Sequence, residues 1–280
     1  MRPANLVTAV ADILAGGAIA GFAFGESTSI LWLVFATIGL YGGGVVMNDV
    51  FDAELDSVER PERPIPSGVV TIREATMLGI LLLVIGVLTA ARVSVVSAVL
   101  AMAIAFAAVI YDKWGKHHSF LGPINMGLCR GLNLLLGVSI LPTAIENLWP
   151  FAFVPLAYIA AITMISRGEV HGGSRKTLYG AALLYVSVIM IISIIALQNK
   201  HISEALVFVV VWGVMIFMPL FRAIRDPRGK MIGRAVKAGV IALIVMDAAW
   251  AAAFGSVTVA LVILLLLPLS MLLARVFAVT

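Results

Sequence analysis

The sequence predicts an all-α protein, a polytopic transmembrane bundle of about nine or ten helices forming a single integral membrane domain over residues 1–280. Three observations carry this. Hydrophobic residues make up 62% of the chain and charged residues 12%, with mean hydropathy +1.10. A soluble domain carries roughly 25% charged residues and could not bury so much apolar surface. The apolar residues fall into ten stretches, each near the ~20 residues a helix needs to cross the hydrocarbon core. The basic residues collect on alternate sides of those stretches, as topology requires. Within lipid each span must satisfy its own backbone, which makes it helical.

The first span is Asn5–Phe24. Arg2 precedes it as it would a signal peptide, but Asp12 interrupts the apolar run, so the segment reads as a retained span. The second, Ile30–Val50, runs into an acidic stretch and then into Pro61, Pro64 and Pro66, which stop the helix. Thr71-Ile72-Arg73-Glu74 reads as a capping box opening the third span, Ala75–Ala91. Val93–Tyr111, Leu121–Leu141, Trp149–Ile165, Leu178–Leu197 and Ala205–Phe221 follow. Ala235–Phe254 and Val257–Ala274 are joined by a turn so short that one of them is open to a re-entrant reading. Gly16-Gly17, Gly42-Gly43-Gly44 and Gly86 read as close-packing positions between helices.

With the N-terminus inside, only Arg92 and Lys200 of the 19 Lys and Arg fall outside, and Arg130 lies within a span. This asymmetry predicts a cell-membrane protein with its N-terminus and acidic loop on the cytoplasmic side. It also accounts for the net charge of +4 without a nucleic-acid partner. Among the acids outside the spans, only Glu26, Glu146 and Glu204 face outward. The inner surface is therefore mixed in sign, as a site for a metal and an anion requires. The single cysteine, Cys129, has no partner for a disulfide or for thiolate metal chemistry.

The most informative stretch is Asn48-Asp49-Val50-Phe51-Asp52-Ala53-Glu54-Leu55-Asp56, followed by Arg60-Pro61-Glu62-Arg63-Pro64-Ile65-Pro66-Ser67-Gly68. Asn48, Asp52 and Asp56 are spaced i, i+4, i+8, which places them on one helix face. Oxygen-bearing side chains in such a row suit Mg²⁺, a hard cation that takes carboxylates, water and phosphate oxygens. The row is self-repelling, so without a metal something else must neutralise it. Metal from the acids and guanidinium from the stiff basic loop can share one diphosphate.

These residues resemble the UbiA superfamily of intramembrane prenyltransferases. Its first signature, N-D-x-x-D-x-x-x-D followed by R-x-x-R-P and S-G, matches Asn48-Asp49, Asp52, Asp56, Arg60, Arg63-Pro64 and Ser67-Gly68. The resemblance continues at Leu121-Gly122, Gly127, Gly131 and Gly137, and in the span rhythm to about residue 200. It implies a helical bundle open to the bilayer, binding an isoprenyl diphosphate through Mg²⁺. It further implies transfer of the prenyl group to a lipophilic or aromatic acceptor. Asn48, Asp49, Asp52 and Asp56 would hold the metal, with Asp52 and Asp56 central to catalysis. Arg63, Lys113, Lys116, Arg167 and Lys176 would clamp phosphate oxygens, and Tyr111 would donate a hydrogen bond.

Two departures qualify the match. Members usually carry a second D-x-x-x-D motif after the sixth span. Here that loop reads Ser166-Arg167-Gly168-Glu169-Val170-His171-Gly172-Gly173-Ser174-Arg175-Lys176-Thr177-Leu178, which leaves Glu169 and His171 as the only replacements. Glu169 is the candidate second-metal ligand or base on the acceptor. The usual tyrosine-to-lysine element after the fourth span is also altered, with Lys113 and Lys116 at other spacings from Tyr111. These loops look like the EboC-like branch, associated with export of secondary-metabolite precursors. That likeness gives the alternative reading of a catalytically lapsed member that binds or moves a lipophilic metabolite. CDP-alcohol phosphotransferases also place aspartates at helix ends, but their D-G-x-x-A-R element is missing. His117-His118 reads as a polar interfacial pair, since adjacent helical residues point to different faces.

Asp12, Arg130 and Asp247 fall inside spans. A charge at mid-membrane costs roughly 2.5–3.5 kcal/mol on insertion scales, so each should face the bundle interior with a partner. The sequence predicts a buried Arg130–Asp12 or Arg130–Asp247 pair, with acceptor binding as the other reading of Arg130.

Overall fold

The polypeptide meets the demand for internally satisfied backbone with helices throughout. The computed structural model describes residues 3–23, 28–118, 121–169 and 172–276; His171 lies outside them. The helices are α1 (Pro3–Ile19), α2 (Ser29–Phe51), α3 (Ala53–Glu59), α4 (Ile72–Ala91), α5 (Val95–Lys113), α6 (Leu121–Val138), the single turn α7 (Ile145–Leu148), α8 (Phe153–Ser166), α9 (Arg175–Gln198), α10 (Ile202–Arg225), α11 (Gly229–Ala253) and α12 (Val257–Val276). Each of the ten expected spans has its helix. Eight are long and apolar enough to cross a membrane, counting Pro142–Ser166 as one run. The other two are α1, which has 17 residues, and α6, which carries Asn125, Arg130 and Asn133. In the last pair, α11 has 25 residues and α12 has 20, each long and apolar enough to cross a membrane.

Local chemistry sets the ends. Phe22 N–H bonds Gly17 C=O and Gly21 N–H bonds Ala18 C=O, with Gly21 at φ +88°. This left-handed cap closes α1 earlier than hydropathy alone suggests. The expected capping box is present: Glu74 N–H donates to Thr71 Oγ1 (3.2 Å) and Thr71 N–H donates to Glu74 Oε2 (2.9 Å). Ser94 Oγ accepts from Ser97 N–H (3.0 Å) and opens α5.

α1 and α11 form the centre. α1 packs on α2, α6, α11 and α12, and α11 packs on α1, α8, α9, α10 and α12. Residues 241–253 of α11 are buried without a break. Tyr158, Tyr185 and Trp212 lock α8, α9 and α10 around it, with Tyr158 Oη donating to Gly239 C=O (2.9 Å). Helices α4, α5, α9, α10 and α12 turn Leu88, Phe106, Leu183, Val207 and Leu265 outward, the apolar surface a bilayer covers.

Helices approach closely where side chains are absent. A Cβ on Gly16 would lie 2.2 Å from Leu134 O, and one on Gly137 would lie 2.4 Å from Ile13 O. The α1–α6 contact is therefore backbone against backbone. Gly39 and Gly43 of α2 meet the Gly86 and Gly79 backbone of α4 in the same way. These are the small-residue contacts expected where lipid supplies no hydrophobic drive between helices.

One turn from the Gly16–Gly137 contact lies the buried charge. Arg130 Nη1 donates to Asp12 Oδ2 at 2.5 Å, and Nη2 donates to Thr8 Oγ1. Asn133 Nδ2 donates to Asp12 Oδ2 and to Ala9 C=O, both at 2.9 Å, and Thr37 Oγ1 donates to Asn133 Oδ1 at 2.7 Å. Asp12 is thus the partner of Arg130. Asp247 is buried on α11 and forms no ion pair with Arg130 among the described residues. The choice follows from packing: Gly16 and Gly137 bring α1 and α6 together at the level of Asp12 and Asn133.

Two outcomes are expected. Gly137→Val should lower the thermal midpoint of the detergent-solubilised protein, because the overpacked contact costs about 1–3 kcal/mol or more. Asp12→Leu should cost about 3–5 kcal/mol by leaving Arg130 buried without its counterion, and the Asp12→Leu, Arg130→Leu double variant should recover much of that loss in the same melting assay.

Candidate active site

The helical register survives the acidic block. α2 ends at Phe51 and α3 begins at Ala53, yet Asp52 N–H bonds Asn48 C=O (2.9 Å), Asp56 N–H bonds Asp52 C=O (2.8 Å) and Arg60 N–H bonds Asp56 C=O (2.8 Å). Asn48, Asp52 and Asp56 therefore climb one face in successive turns. The Pro-rich loop then folds back, with Ser67 N–H on Arg63 C=O (2.9 Å) and Gly68 at φ +77°.

That fold-back answers what neutralises the row. Arg63 Nη1 bridges Asp56 Oδ2 (2.5 Å) and Asp49 Oδ1 (3.4 Å), and Lys116 Nζ pairs with Asp52 Oδ1. Arg63 comes from the loop after α3 and Lys116 from the turn after α5, so two segments deliver the cations. Asn48 Nδ2 donates to Asp112 Oδ1 at 2.9 Å. Asn48 in the last turn of α2 and Asp52 at the α2–α3 joint thus meet Asp112 and Lys116 directly, each pair being four residues apart in sequence.

Above this mouth lies a cavity of about 340 Å³ bounded by α1, α2, α5 and α6. Asn48, Asp52, Tyr111, Asp112 and Lys116 line its polar end. Leu40, Gly44, Val45, Ile104, Ala108 and Met126 line its walls. Thr37, Arg130 and Asn133 close the far end with the network anchored on Asp12. The space is amphipathic: charged at one end, apolar through the middle, and hydrogen-bonded at its floor.

The structure divides the candidate residues. Asn48, Asp52, Tyr111 and Lys116 line the cavity, while Asp49, Asp56 and Arg63 are not among its lining residues and join one another through the Arg63 bridge. Lys113 is exposed, with Nζ 4.5 Å from the Trp114 ring centre, and is not among the lining residues. Arg167 is exposed and reaches the neighbouring turn by donating to His118 C=O at 3.4 Å. Lys176 is exposed in the first turn of α9. Glu169 packs against Gly233 of α11, where an added Cβ would meet its Oε1 at 2.9 Å. No described residue of 166–177 lines the cavity. Gly172 is at φ +83° and Gly173 N–H bonds Pro227 C=O (3.1 Å), tying that end of the loop to the α10–α11 connection, while Arg167 ties the other end to the turn that follows α5.

Asp112 was not among the sequence-derived candidates, although it is 5% exposed and lines the cavity. Its signal was present: Asp112 and Lys116 share the i, i+4 spacing of Asn48 and Asp52. Tyr41 is a second lining residue without a sequence motif to mark it.

The oxygen donors fit Mg²⁺ chemically. Among the described residues no three carboxylate, imidazole or thiol groups converge as a ready cage. Mg²⁺ characteristically takes one or two carboxylates and completes its shell with water and substrate phosphate. The arrangement of Asn48 and Asp52 beside an open cavity is of that kind.

Comparison with known proteins agrees with the fold. The digeranylgeranylglyceryl phosphate synthase of Methanothrix thermoacetophila is 36% identical over 169 residues, 60% of this chain and 60% of that protein. The match thus spans less than two thirds of that curated relative's length. The apo structure of a UbiA homolog from Aeropyrum pernix K1 superposes with TM-score 0.71 at 15% identity, covering 89% of this chain and 98% of that one. A UbiA homolog from Archaeoglobus fulgidus bound to GPP and Mg²⁺ gives TM-score 0.64 at 15% identity, covering 86% and 97%. The UbiA prenyltransferase family profile matches residues 9–236, and the chain belongs to that family.

Proposed function

We propose that the protein is a Mg²⁺-dependent intramembrane prenyltransferase, moving an isoprenyl group from a prenyl diphosphate to a lipophilic acceptor. The observation that carries this is the single cavity that joins the Asn48–Asp52 mouth to apolar walls inside the bundle. A diphosphate requires the first and a prenyl chain the second. The A. fulgidus homolog bound to GPP and Mg²⁺ supports the choice of ligand. The positive-inside pattern supports a cytoplasmic mouth, and the continuous packing of α1 on α2, α6, α11 and α12 supports one membrane domain.

Mg²⁺ held by Asn48, Asp49, Asp52 and Asp56 would supply positive charge to the departing diphosphate. The rest falls to the chain. Lys116 and Arg63, already at the mouth, are placed to exchange a carboxylate partner for phosphate oxygens, and Tyr111 offers its hydroxyl to the same group. The allylic C–O bond breaks and its electron pair leaves with pyrophosphate. A new bond forms between the prenyl carbon and the acceptor, which gives up a proton. The walls formed by Leu40, Val45, Ile104 and Met126 keep water from the allylic cation. Similarity to digeranylgeranylglyceryl phosphate synthases makes a prenylated glyceryl phosphate the first acceptor class to test, beside aromatic acids.

The test is an assay of wild type with a panel of prenyl diphosphates and acceptors in Mg²⁺. Asp52→Ala and Asp56→Ala should each lower turnover by about a hundredfold or more, the scale of losing a preorganised electrostatic group. Failure of the wild type to bind any prenyl diphosphate would overturn the reading. Binding without turnover would instead point to a carrier of lipophilic metabolites. Lys116→Ala should lose roughly 10²-fold in kcat, whereas Lys113→Ala should stay within about threefold, because Lys113 lies against Trp114 outside the cavity.

A further inference from the structure

The site described so far has metal-binding groups on one wall only. They belong to α2, α3 and the joint between them at Asp52, while no described residue of the loop after α8 lines the cavity and Glu169 packs against Gly233 of α11. Yet the opposite wall is not bare of carboxylate. Asp112, in the last turn of α5, lines the cavity with Asn48 and Asp52.

We propose that Asp112 is a metal ligand of this site, holding Mg²⁺ from the α5 wall opposite Asn48 and Asp52. This rests on the prenyltransferase reading above and deepens it. Asn48 Nδ2 and Asp112 Oδ1 are 2.9 Å apart. Oxygen ligands of octahedral Mg²⁺, each about 2.0–2.1 Å from the ion, lie about 2.9 Å from their neighbours. The two side chains thus already stand at the separation of adjacent ligands. Turning the Asn48 amide by half a revolution presents its carbonyl oxygen in place of its NH₂ group.

The mouth gathers Asp49, Asp52, Asp56 and Asp112, together with the cations Arg63 and Lys116 that bridge to three of them. Carboxylates gathered at the entrance of an apolar cavity repel one another, and a divalent cation offsets that repulsion. Asp112 and Lys116 are four residues apart, as are Asn48 and Asp52, so a carboxylate on each wall lies beside the group most suited to phosphate. A diphosphate entering between the walls would meet metal ligands on both.

Mn²⁺ binding tests this without turnover. Full-length protein is titrated with Mn²⁺ alongside a non-hydrolysable prenyl thiodiphosphate, and free Mn²⁺ is followed by its paramagnetic resonance signal. Loss of groups merely adjacent to metal ligands already costs about 10–100-fold in affinity, so Asp112→Asn should weaken Mn²⁺ binding by about a hundredfold or more. Asparagine keeps an oxygen acceptor for Asn48, so a purely structural role for Asp112 predicts wild-type binding, and that result would overturn the proposal. Asp112→Glu keeps the carboxylate and should bind within about tenfold of wild type. It serves as the folded reference if Asp112→Asn fails to fold, and a loss of a hundredfold or more in Asp112→Glu would overturn the proposal. Glu169→Gln should bind like wild type; loss of binding there, with Asp112→Asn unaffected, would move the ligand to the α8–α9 loop and defeat the proposal. If wild type binds no Mn²⁺ with the analogue, the prenyltransferase reading itself falls. If wild type binds and only Asp52→Asn is impaired, that reading stands and the role of Asp112 falls.

Discussion

Charge inside a helical membrane bundle has to be matched locally, because water is not there to screen it, and two such matches organise this protein. The deeper one is Arg130 with Asp12. It is built on a backbone contact between α1 and α6 that only the absence of side chains at Gly16 and Gly137 permits. Once the helices are that close, Asp12, Arg130 and Asn133 fall within hydrogen-bond reach, and Thr37 of α2 joins them. The same network is the floor of the cavity. Packing and site are therefore one construction: the contact that brings α1 to α6 also sets where the apolar channel ends.

The second match is at the mouth, and it is looser. Arg63 and Lys116 hold the acids of α2 and α3, but both are partly exposed and both come from connections rather than from helix interiors. Pairs of this kind exchange partners at small cost, since solvent screens much of their attraction. The floor pair lacks that freedom, being buried against α1 and α6. The division between a fixed polar floor and an exchangeable polar mouth is what a site for an entering anion requires. The apolar walls between them need only be smooth and dry.

The order of events along the chain explains how short segments build the mouth. A helix carries oxygen donors out of the membrane in a single row. Prolines end it, and the loop turns back so that an arginine covers the row. A serine–glycine turn and a capping box then start α4, which packs beside α2 through Gly79 and Gly86. Each step is local, which is why the block can be read as one motif. The opposite wall is different. Asp112 and Lys116 belong to α5 and its following turn, and their alignment with α2 depends on how α5 crosses it.

That contrast separates what the residues alone determined from what the tertiary structure decided. Hydropathy determined ten helical segments, eight of them among the described residues long and apolar enough to cross a membrane, because lipid forces each apolar segment to satisfy its own backbone. The i, i+4, i+8 spacing determined the donor row, because helical register is a property of the local chain and persists across the joint at Asp52. Glycines at close-packing positions were legible for the same reason. The partner of Arg130 was not, since Asp12 and Asp247 are both buried acids and only the α1–α6 contact favours the first. Nor was the separation of Lys116 from Lys113, which are near neighbours in sequence but differ in whether they line the cavity or lie on Trp114. The loop after α8 reads as part of the mouth in one dimension; in space Gly173 ties one end of it to the α10–α11 connection and Arg167 ties the other to the turn after α5. Asp112, which motif reading passed over, stands beside Asn48. A sequence carries its own periodicity and its own charges, but the facing of one wall to another is set by helix crossings, and those depend on contacts between residues far apart in the chain.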